Sequence, residues 1–138
     1  MTSPVVQAFA NGFPVTLVHV AVSIGILFLA AGLYILLNPH REISMIRGGN
    51  VAAALDVGGV LVGLAIPLAY SLKASTSLAD VALWGVATVA VQLLVFRLVD
   101  LVLHGLPKRI QDGEIAAAAV LVGAKLATAM IVAAAVGA

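Results

Sequence analysis

Four long apolar stretches constrain this chain more than any other feature of its sequence. They run from Val15 to Leu37, from Val51 to Leu72, from Val81 to Leu103 and from Ile115 to Ala138. A helix needs about 20 apolar residues to cross the hydrocarbon core of a bilayer, and each stretch has that length. Only 9% of the 138 residues are charged, whereas soluble domains carry about 25%. The sequence therefore predicts an all-α integral membrane protein with four transmembrane helices.

The connecting segments are short, so neighbouring helices must be antiparallel, and their basic residues predict the orientation. The first and third connectors share four basic residues, which are Arg41, Arg47, Lys108 and Arg109. The second connector has only Lys73. Because basic loops stay in the cytoplasm, both termini are predicted to face the periplasm.

Residues 1–14 are predicted to form an interfacial or disordered segment ahead of the first span. This segment contains no Lys or Arg, so it lacks the positive region of a cleaved secretory signal. Ser3 followed by Pro4 is a pair that can cap a short helix at the membrane surface. A helical and a disordered start are both compatible with the sequence.

The second and fourth apolar stretches are related to each other. When the chain is shifted by 64 residues, eight of 24 aligned positions are identical, among them Gly49/Gly113 and Gly59/Gly123. We therefore predict a tandem duplication of a two-helix hairpin, with residues 15–72 as the first repeat and residues 77–138 as the second. Copies of this kind share their orientation in the membrane and are related by an axis along its normal.

The stretches IRGGNVAAALDVGGVLVGLAIPLAYSL and DVALWGVATVAVQLLVFRLVD carry a family resemblance. In them, and in the two hairpins from about Val15 to Ala138, the chain resembles the YjfL-like bacterial inner-membrane proteins (domain of unknown function family 350). The resemblance implies a bacterial inner-membrane location and a duplicated domain. Because the family has no assigned function, the resemblance carries over no catalytic or ligand-binding residue.

Four strongly ionised residues lie inside the predicted spans, and their formal charges sum to zero: Asp56, Arg97, Asp100 and Lys125. Charges inside a membrane usually pair with one another or line a polar path. Asp56 and Arg97 are both about 8 to 9 Å from the cytoplasmic ends of their helices. We therefore predict an Asp56–Arg97–Asp100 cluster, which is either a structural clasp or a proton or ion relay.

Lys125 is predicted to lie near the membrane midplane, roughly 15 Å along its helix. No acidic residue is expected at that depth, and Gln92 is the nearest polar residue. Lys125 is therefore assigned to a polar cavity or a subunit interface. On the first span, His19 belongs to a polar stripe with Thr16 and Ser23 and is expected to hydrogen-bond a neighbouring helix rather than bind a metal.

Small residues mark the expected helix contacts. Gly59 and Gly63 form a G-x-x-x-G pattern on the face that holds Asp56, and Gly123 is the repeat equivalent of Gly59. Small residues let helices approach closely in membranes. Pro67 removes one backbone hydrogen bond, so a bend or hinge is predicted in the second span.

The motifs of common enzymes are missing from the sequence, and cysteine is absent. We therefore expect neither an enzyme, a cofactor, a metal site nor nucleic-acid binding. Two functions remain open, and both assume a homo-oligomer in the lipid bilayer. The first is a channel or transporter subunit for a small ion or proton. The second is a non-conducting scaffold or envelope-stress partner that docks cytoplasmic proteins through its basic loops.

Overall fold

The computed structural model describes residues 3–37 and 42–137, and these residues form a bundle of helices. The helices are α1 (Pro4–Leu37), α2 (Glu42–Arg47), α3 (Val51–Ala74), α4 (Leu78–Val102), α5 (Leu106–Gln111) and α6 (Ile115–Val136). Within this part of the chain, α1, α3, α4 and α6 are long and apolar enough to cross a membrane. The prediction of four apolar spanning helices is confirmed.

The first helix begins earlier than the predicted span. Ser3 Oγ accepts a hydrogen bond from the Val6 N–H at 3.2 Å, and α1 then continues through Pro14 without interruption. Residues 4–14 are therefore helical, which is one of the two starts that the sequence left open, and the division between this segment and the first span stays a prediction. Proline removes one backbone hydrogen bond from a helix interior. The helix continues past Pro14 because the apolar residues on both sides favour helical structure in a membrane.

The first and third connectors, which we expected to be loops, each contain a six-residue helix, α2 and α5. Both short helices are followed by a glycine with positive φ, +89° at Gly49 and +84° at Gly113. Glycine adopts this left-handed conformation readily, so the chain can turn there into the next long helix. The two glycines are equivalent positions of the predicted repeat, and the duplication itself stays a prediction.

Consecutive spanning helices alternate in direction, so α3 and α6 are parallel to each other. The start of α3 contacts the end of α5 through Asn50 and Ile110, and a Cβ on Gly137, after α6, would lie beside Tyr70 near the end of α3. Helix α3 packs mainly against α6 and also contacts α4 and α1. It is therefore the central helix of the bundle.

The exposed surface of the bundle is largely apolar. Long side chains of every spanning helix point outward, among them Leu29, Val62, Leu94 and Ile131. A soluble protein rarely exposes so much contiguous apolar surface, whereas lipid tails are a suitable environment for it. The exposure pattern therefore agrees with a multi-pass membrane protein.

Basic residues lie at one end of the bundle, which we call the basic end and define by Arg47, Lys108 and Arg109. The other end, which holds the α3–α4 connector with Lys73, is called the opposite end. Arg109 lies outside the spans and donates a hydrogen bond to Glu114. This hydrogen bond, and then the negative charge of Glu114, raise the pKa of Arg109.

Asn50 links the two halves of the chain at the basic end. Its side-chain oxygen accepts from the Ala53 N–H at 3.0 Å and caps α3. Its amide nitrogen donates to the carbonyls of Ile110 and Gln111 at 3.0 and 3.1 Å. One side chain thus both starts α3 and joins it to the segment that precedes α6.

Replacing Asn50 with alanine is expected to lower the free energy of unfolding by about 1–2 kcal/mol, because the cap and both donated bonds are lost. Asn50→Ser retains a cap but not the link, so its loss should be intermediate. Unfolding in mixed detergent micelles, followed by far-ultraviolet circular dichroism, measures both values. Equal stability of Asn50→Ala and the unchanged protein would contradict the role given to Asn50.

Candidate functional site: a buried lysine between two carboxylates

Lys125 is the centre of a polar network inside the bundle. Its side chain is fully buried. Its ammonium group lies 3.2 Å from Asp56 Oδ1 and 2.6 Å from the Tyr34 hydroxyl, within hydrogen-bonding distance of both. Asp100 Oδ1 lies 3.3 Å from the same nitrogen. Residues from all four spanning helices therefore meet at one point.

Tyr34 connects the ammonium group to the second carboxylate. Its hydroxyl accepts from Lys125 and donates to Asp100 Oδ2 at 2.7 Å. The contacts thus form a continuous chain from Asp56 through Lys125 and Tyr34 to Asp100. The rings of Tyr34 and Phe96 also lie near the ammonium group, with centroids 4.9 and 5.7 Å from Nζ. Aromatic faces at such distances attract a cation.

The parallel packing of α3 and α6 explains how Lys125 reaches Asp56. A Cβ on Gly59 of α3 would lie 2.7 Å from a methyl group of Val122 on α6, so these residues are level. By that register Lys125 lies about 9 Å further along the axis than Asp56, at 1.5 Å per residue. Helical side chains tilt toward the helix N-terminus, and the long lysine stem therefore points back toward Asp56.

The network carries more negative than positive charge when every group is ionised. It contains one ammonium and two carboxylates, and Asp56 is only 3% exposed. The side chain of Asp100 is more accessible, at 15%. Buried charges need partners because removal from water costs several kcal/mol for each ion. The two carboxylates therefore share one ammonium group, and the Tyr34 hydroxyl is the further partner of Asp100.

The predicted Asp56–Arg97–Asp100 cluster is wrong in its basic member. Arg97 is exposed on the outside of α4, and Lys125 is the residue that contacts both carboxylates. Phe96 is fully buried, and Asp100 follows it by four residues on the same face, whereas Arg97 is rotated about 100° away. The expectation of no acidic partner for Lys125 is also wrong, because the long lysine side chain brings Nζ from the level of its own Cα to the two carboxylates.

The other predicted polar residue, His19, lies elsewhere. It is half-buried on α1, 15 residues and about 22 Å along the helix axis from Tyr34. In the same stripe, Ser23 is buried and Thr16 donates to the Gly12 carbonyl. His19 therefore does not belong to the Lys125 network, and its expected contact with a neighbouring helix stays a prediction.

Two of the predicted packing glycines lie where helices approach closely. Val122 covers Gly59, and the ring of Phe96 covers Gly63, where a Cβ would be 2.6 Å from Cζ. Gly123 is exposed, and a Cβ there would meet no described atom within 4 Å, so its predicted helix contact is not made within the bundle and stays a prediction. Pro67 is fully buried inside an uninterrupted α3, and its role as a hinge stays a prediction.

Tyr34 is the member of the site that the sequence did not identify. It is 3% exposed and packs in the core of α1, α3 and α4 with Leu64 and Phe96. Its position in the sequence could have indicated this role, because Tyr34, Asp56 and Asp100 all lie near the ends of their helices on the same side of the bundle. A hydroxyl at that depth needs a partner, and the two carboxylates were the candidates.

Similarity to known proteins places the chain in a family. The family model described as Domain of Unknown Function (DUF350) matches residues 8–136, which is almost the whole chain. The chain belongs to the DUF350 family. The resemblance to YjfL-like proteins is thereby confirmed.

Two relatives agree with this assignment. The DUF350 chain is 35% identical over 98 residues to the UPF0719 inner membrane protein YjfL of Escherichia coli strain K12, over 71% of this chain and 73% of that protein. YjfL of Escherichia coli O157:H7 gives the same values. No solved structure matches the chain. This relationship and the four apolar helices identify a multi-pass inner-membrane protein.

Proposed function

We propose that this DUF350 protein moves protons across the inner membrane through the Asp56–Lys125–Tyr34–Asp100 network. The observation that carries the proposal is a buried ammonium group held between two carboxylates inside a membrane-spanning bundle. Ionisable groups at such depth are costly, and in membrane proteins they commonly mark proton or ion paths. A clasp that only joined helices would need one carboxylate for one ammonium, whereas this site has two.

The geometry suits proton exchange. The steps from Asp56 to Lys125, from Lys125 to Tyr34 and from Tyr34 to Asp100 measure 3.2, 2.6 and 2.7 Å. These are hydrogen-bond distances, and the tyrosine hydroxyl both accepts and donates. For a proton to pass from Asp100 to Asp56, the Lys125 ammonium first gives a proton to Asp56. The neutral amine then takes the Tyr34 proton, and Tyr34 takes the proton of Asp100 after its hydrogen bond to Asp100 reverses, which restores the ammonium and leaves Asp100 ionised.

A proton fits the site better than a metal ion. Metal cations such as Ca²⁺ take six to eight oxygen ligands, and Asp56 and Asp100 already face the ammonium group. Helical backbone carbonyls around the site are bound within their helices. Within residues 3–37 and 42–137, no group of three metal-ligating His, Cys, Asp or Glu side chains comes together.

We also propose an orientation of the bundle in the membrane. The described basic residues Arg47, Lys108 and Arg109 lie at the basic end, which by the positive-inside rule is the cytoplasmic one. Tyr34, Asp56 and Asp100 lie near the ends of their helices on that same side. The network is therefore close to the cytoplasm, and both termini face the periplasm.

Self-association is also part of the proposal. The outward face of α6 exposes Ala119, Gly123 and Ala127 at intervals of four residues, a spacing that permits close helix contact in membranes. Gly123, where a Cβ would meet nothing within 4 Å among the described residues, then contacts a second copy. The mass of the protein in mild detergent measures this association.

Proton flux into liposomes tests the function. Purified protein is reconstituted with a potassium gradient, valinomycin and an internal pH-sensitive dye. Asp100→Asn keeps the size of the side chain but cannot hold the exchanging proton, so we expect flux to fall at least tenfold. Asp112→Asn, on an exposed residue of the α5–α6 turn, is the matched control and should leave flux unchanged.

Two outcomes would contradict the proposal. One is equal flux through Asp100→Asn and the unchanged protein, when both are monodisperse and equally helical. The other is flux through the unchanged protein no greater than through empty liposomes. The second outcome would favour a non-conducting scaffold that docks cytoplasmic proteins at the basic end.

A further inference from the structure

A cavity of about 570 Å³ lies between the halves of α3, α4 and α6 that are nearest the opposite end. Its polar lining comes from Ser71, Ser75, Asp80 and Thr88, and apolar residues such as Trp84 and Val132 form the rest. The cavity is distinct from the Lys125 network, because its lining residues lie near the opposite end of α3, α4 and α6 and the network lies near the basic end. Its volume is large enough for several water molecules.

Three buried polar side chains with no hydrogen-bond partner among the described residues lie at the cavity or next to it. Ser71 and Thr88 line it, and their hydroxyl oxygens are buried and have no hydrogen-bond partner among the described residues. Gln92 does not line the cavity but lies one turn further along α4, is fully buried, and has no partner for its amide oxygen or its amide nitrogen in the part of the chain that the structure describes. Buried polar groups are nearly always hydrogen-bonded, and lipid tails cannot supply such bonds.

We infer that this cavity is a hydrated vestibule that admits water and small hydrophilic cations from the opposite end of the bundle as far as Gln92. Water supplies the donors and acceptors that Ser71, Thr88 and Gln92 lack in the protein. Asp80 adds a carboxylate to the lining, near the start of α4, which favours cations over anions.

Phe96 separates the vestibule from the Lys125 network. Thr88, Gln92, Phe96 and Asp100 follow one another at intervals of four residues on α4, or about 6 Å for each step. The ring of Phe96 is fully buried, contacts the Gly63 position and lies 5.7 Å from Lys125 Nζ. The role of this ring as a barrier to protons depends on the proposed function. The hydration of the vestibule does not depend on it.

Single cysteines test the vestibule, since the chain has none of its own. Ser71→Cys is nearly isosteric, Thr88→Cys loses one methyl group, and each is treated with a cationic, membrane-impermeant methanethiosulfonate. The thiolate attacks the reagent sulfur, forms a mixed disulfide and releases methanesulfinate, and mass spectrometry reports the modified fraction. Two neighbours of Thr88 serve as controls: Ala90→Cys, which is exposed to lipid, and Val89→Cys, which is buried in the apolar core.

We expect Ser71→Cys and Thr88→Cys to be labelled at least tenfold faster than both controls, and only from the side of the opposite end. Labelling rates equal to those of Ala90→Cys would overturn the inference and indicate that lipid fills the cavity. Because labelling requires no transport, the two proposals fail separately. Labelled cysteines without proton flux would refute only the proposed function, and protected cysteines with normal flux would refute only the vestibule.

Discussion

Replacing Lys125 with methionine is expected to lower the free energy of unfolding by about 3–5 kcal/mol. Methionine keeps most of the apolar stem but removes the cation that faces Asp56 and Asp100. Breaking a buried ion pair leaves an uncompensated charge, and losses of that size follow. Reversible unfolding in mixed detergent micelles at pH 8, followed by circular dichroism, measures the difference.

The control for this variant is Lys73→Met, because Lys73 is exposed at the end of α3. Exposed lysines contribute little, so a change within about 0.5 kcal/mol is expected there. The triple variant Asp56→Asn/Lys125→Met/Asp100→Asn removes all three charges and should recover most of the loss, because no buried ion is then left unpaired. A Lys125→Met protein as stable as the unchanged one would contradict the assignment of Lys125 as the partner of both carboxylates.

Replacing Gly63 with alanine is expected to lower the free energy of unfolding by about 1–3 kcal/mol, the usual cost of overpacking a core. The added methyl group would lie 2.6 Å from Cζ and 3.3 Å from Cε1 of Phe96. Phe96 is fully buried, so its ring can move only by displacing its own neighbours. The same unfolding measurement in detergent gives the value.

Gly58→Ala is the matched control, since it lies on the same helix and a Cβ there meets nothing within 4 Å. It should be neutral, or slightly stabilising because alanine restricts the unfolded chain more than glycine does. The double variant Gly63→Ala/Phe96→Leu replaces the ring with a smaller side chain. Its loss of stability should be smaller than the sum of the two single losses, with a coupling of about 0.5–3 kcal/mol between the two positions. Equal stability of Gly63→Ala and Gly58→Ala would contradict the close approach of α3 and α4 at Gly63.

The helical spans could be predicted from the sequence because the bilayer sets their length. Stretches such as Val51 to Leu72 can hardly form anything except a spanning helix, and α3 begins at Val51 as expected. Boundaries that depend on single residues were less certain. Pro14 does not end α1, since one missing hydrogen bond does not outweigh the helical preference of the apolar residues around it in a membrane.

The pairing of charges could not be predicted from depth alone. Asp56 and Arg97 are at similar depths. Two side chains can contact each other, however, only if both also lie on the inner sides of their helices. Gln92 and Phe96 are buried on the inner side of α4, and this rotation of the helix leaves Arg97 outside. Lys125 can contact Asp56 because α3 and α6 are parallel and Gly59 lies level with Val122. The 64-residue offset between the repeats predicted that the two helices are parallel, but depths counted along single helices do not include this register.

The most direct test of the account is proton flux through liposomes that contain the Asp56→Asn/Lys125→Met/Asp100→Asn variant. Its expected stability separates a structural role of the network from a transport role, because the bundle should remain folded without the charges. The account predicts a monodisperse, helical protein whose flux equals that of protein-free liposomes. Flux equal to that of the unchanged protein would show that the buried network holds the helices together and carries no protons.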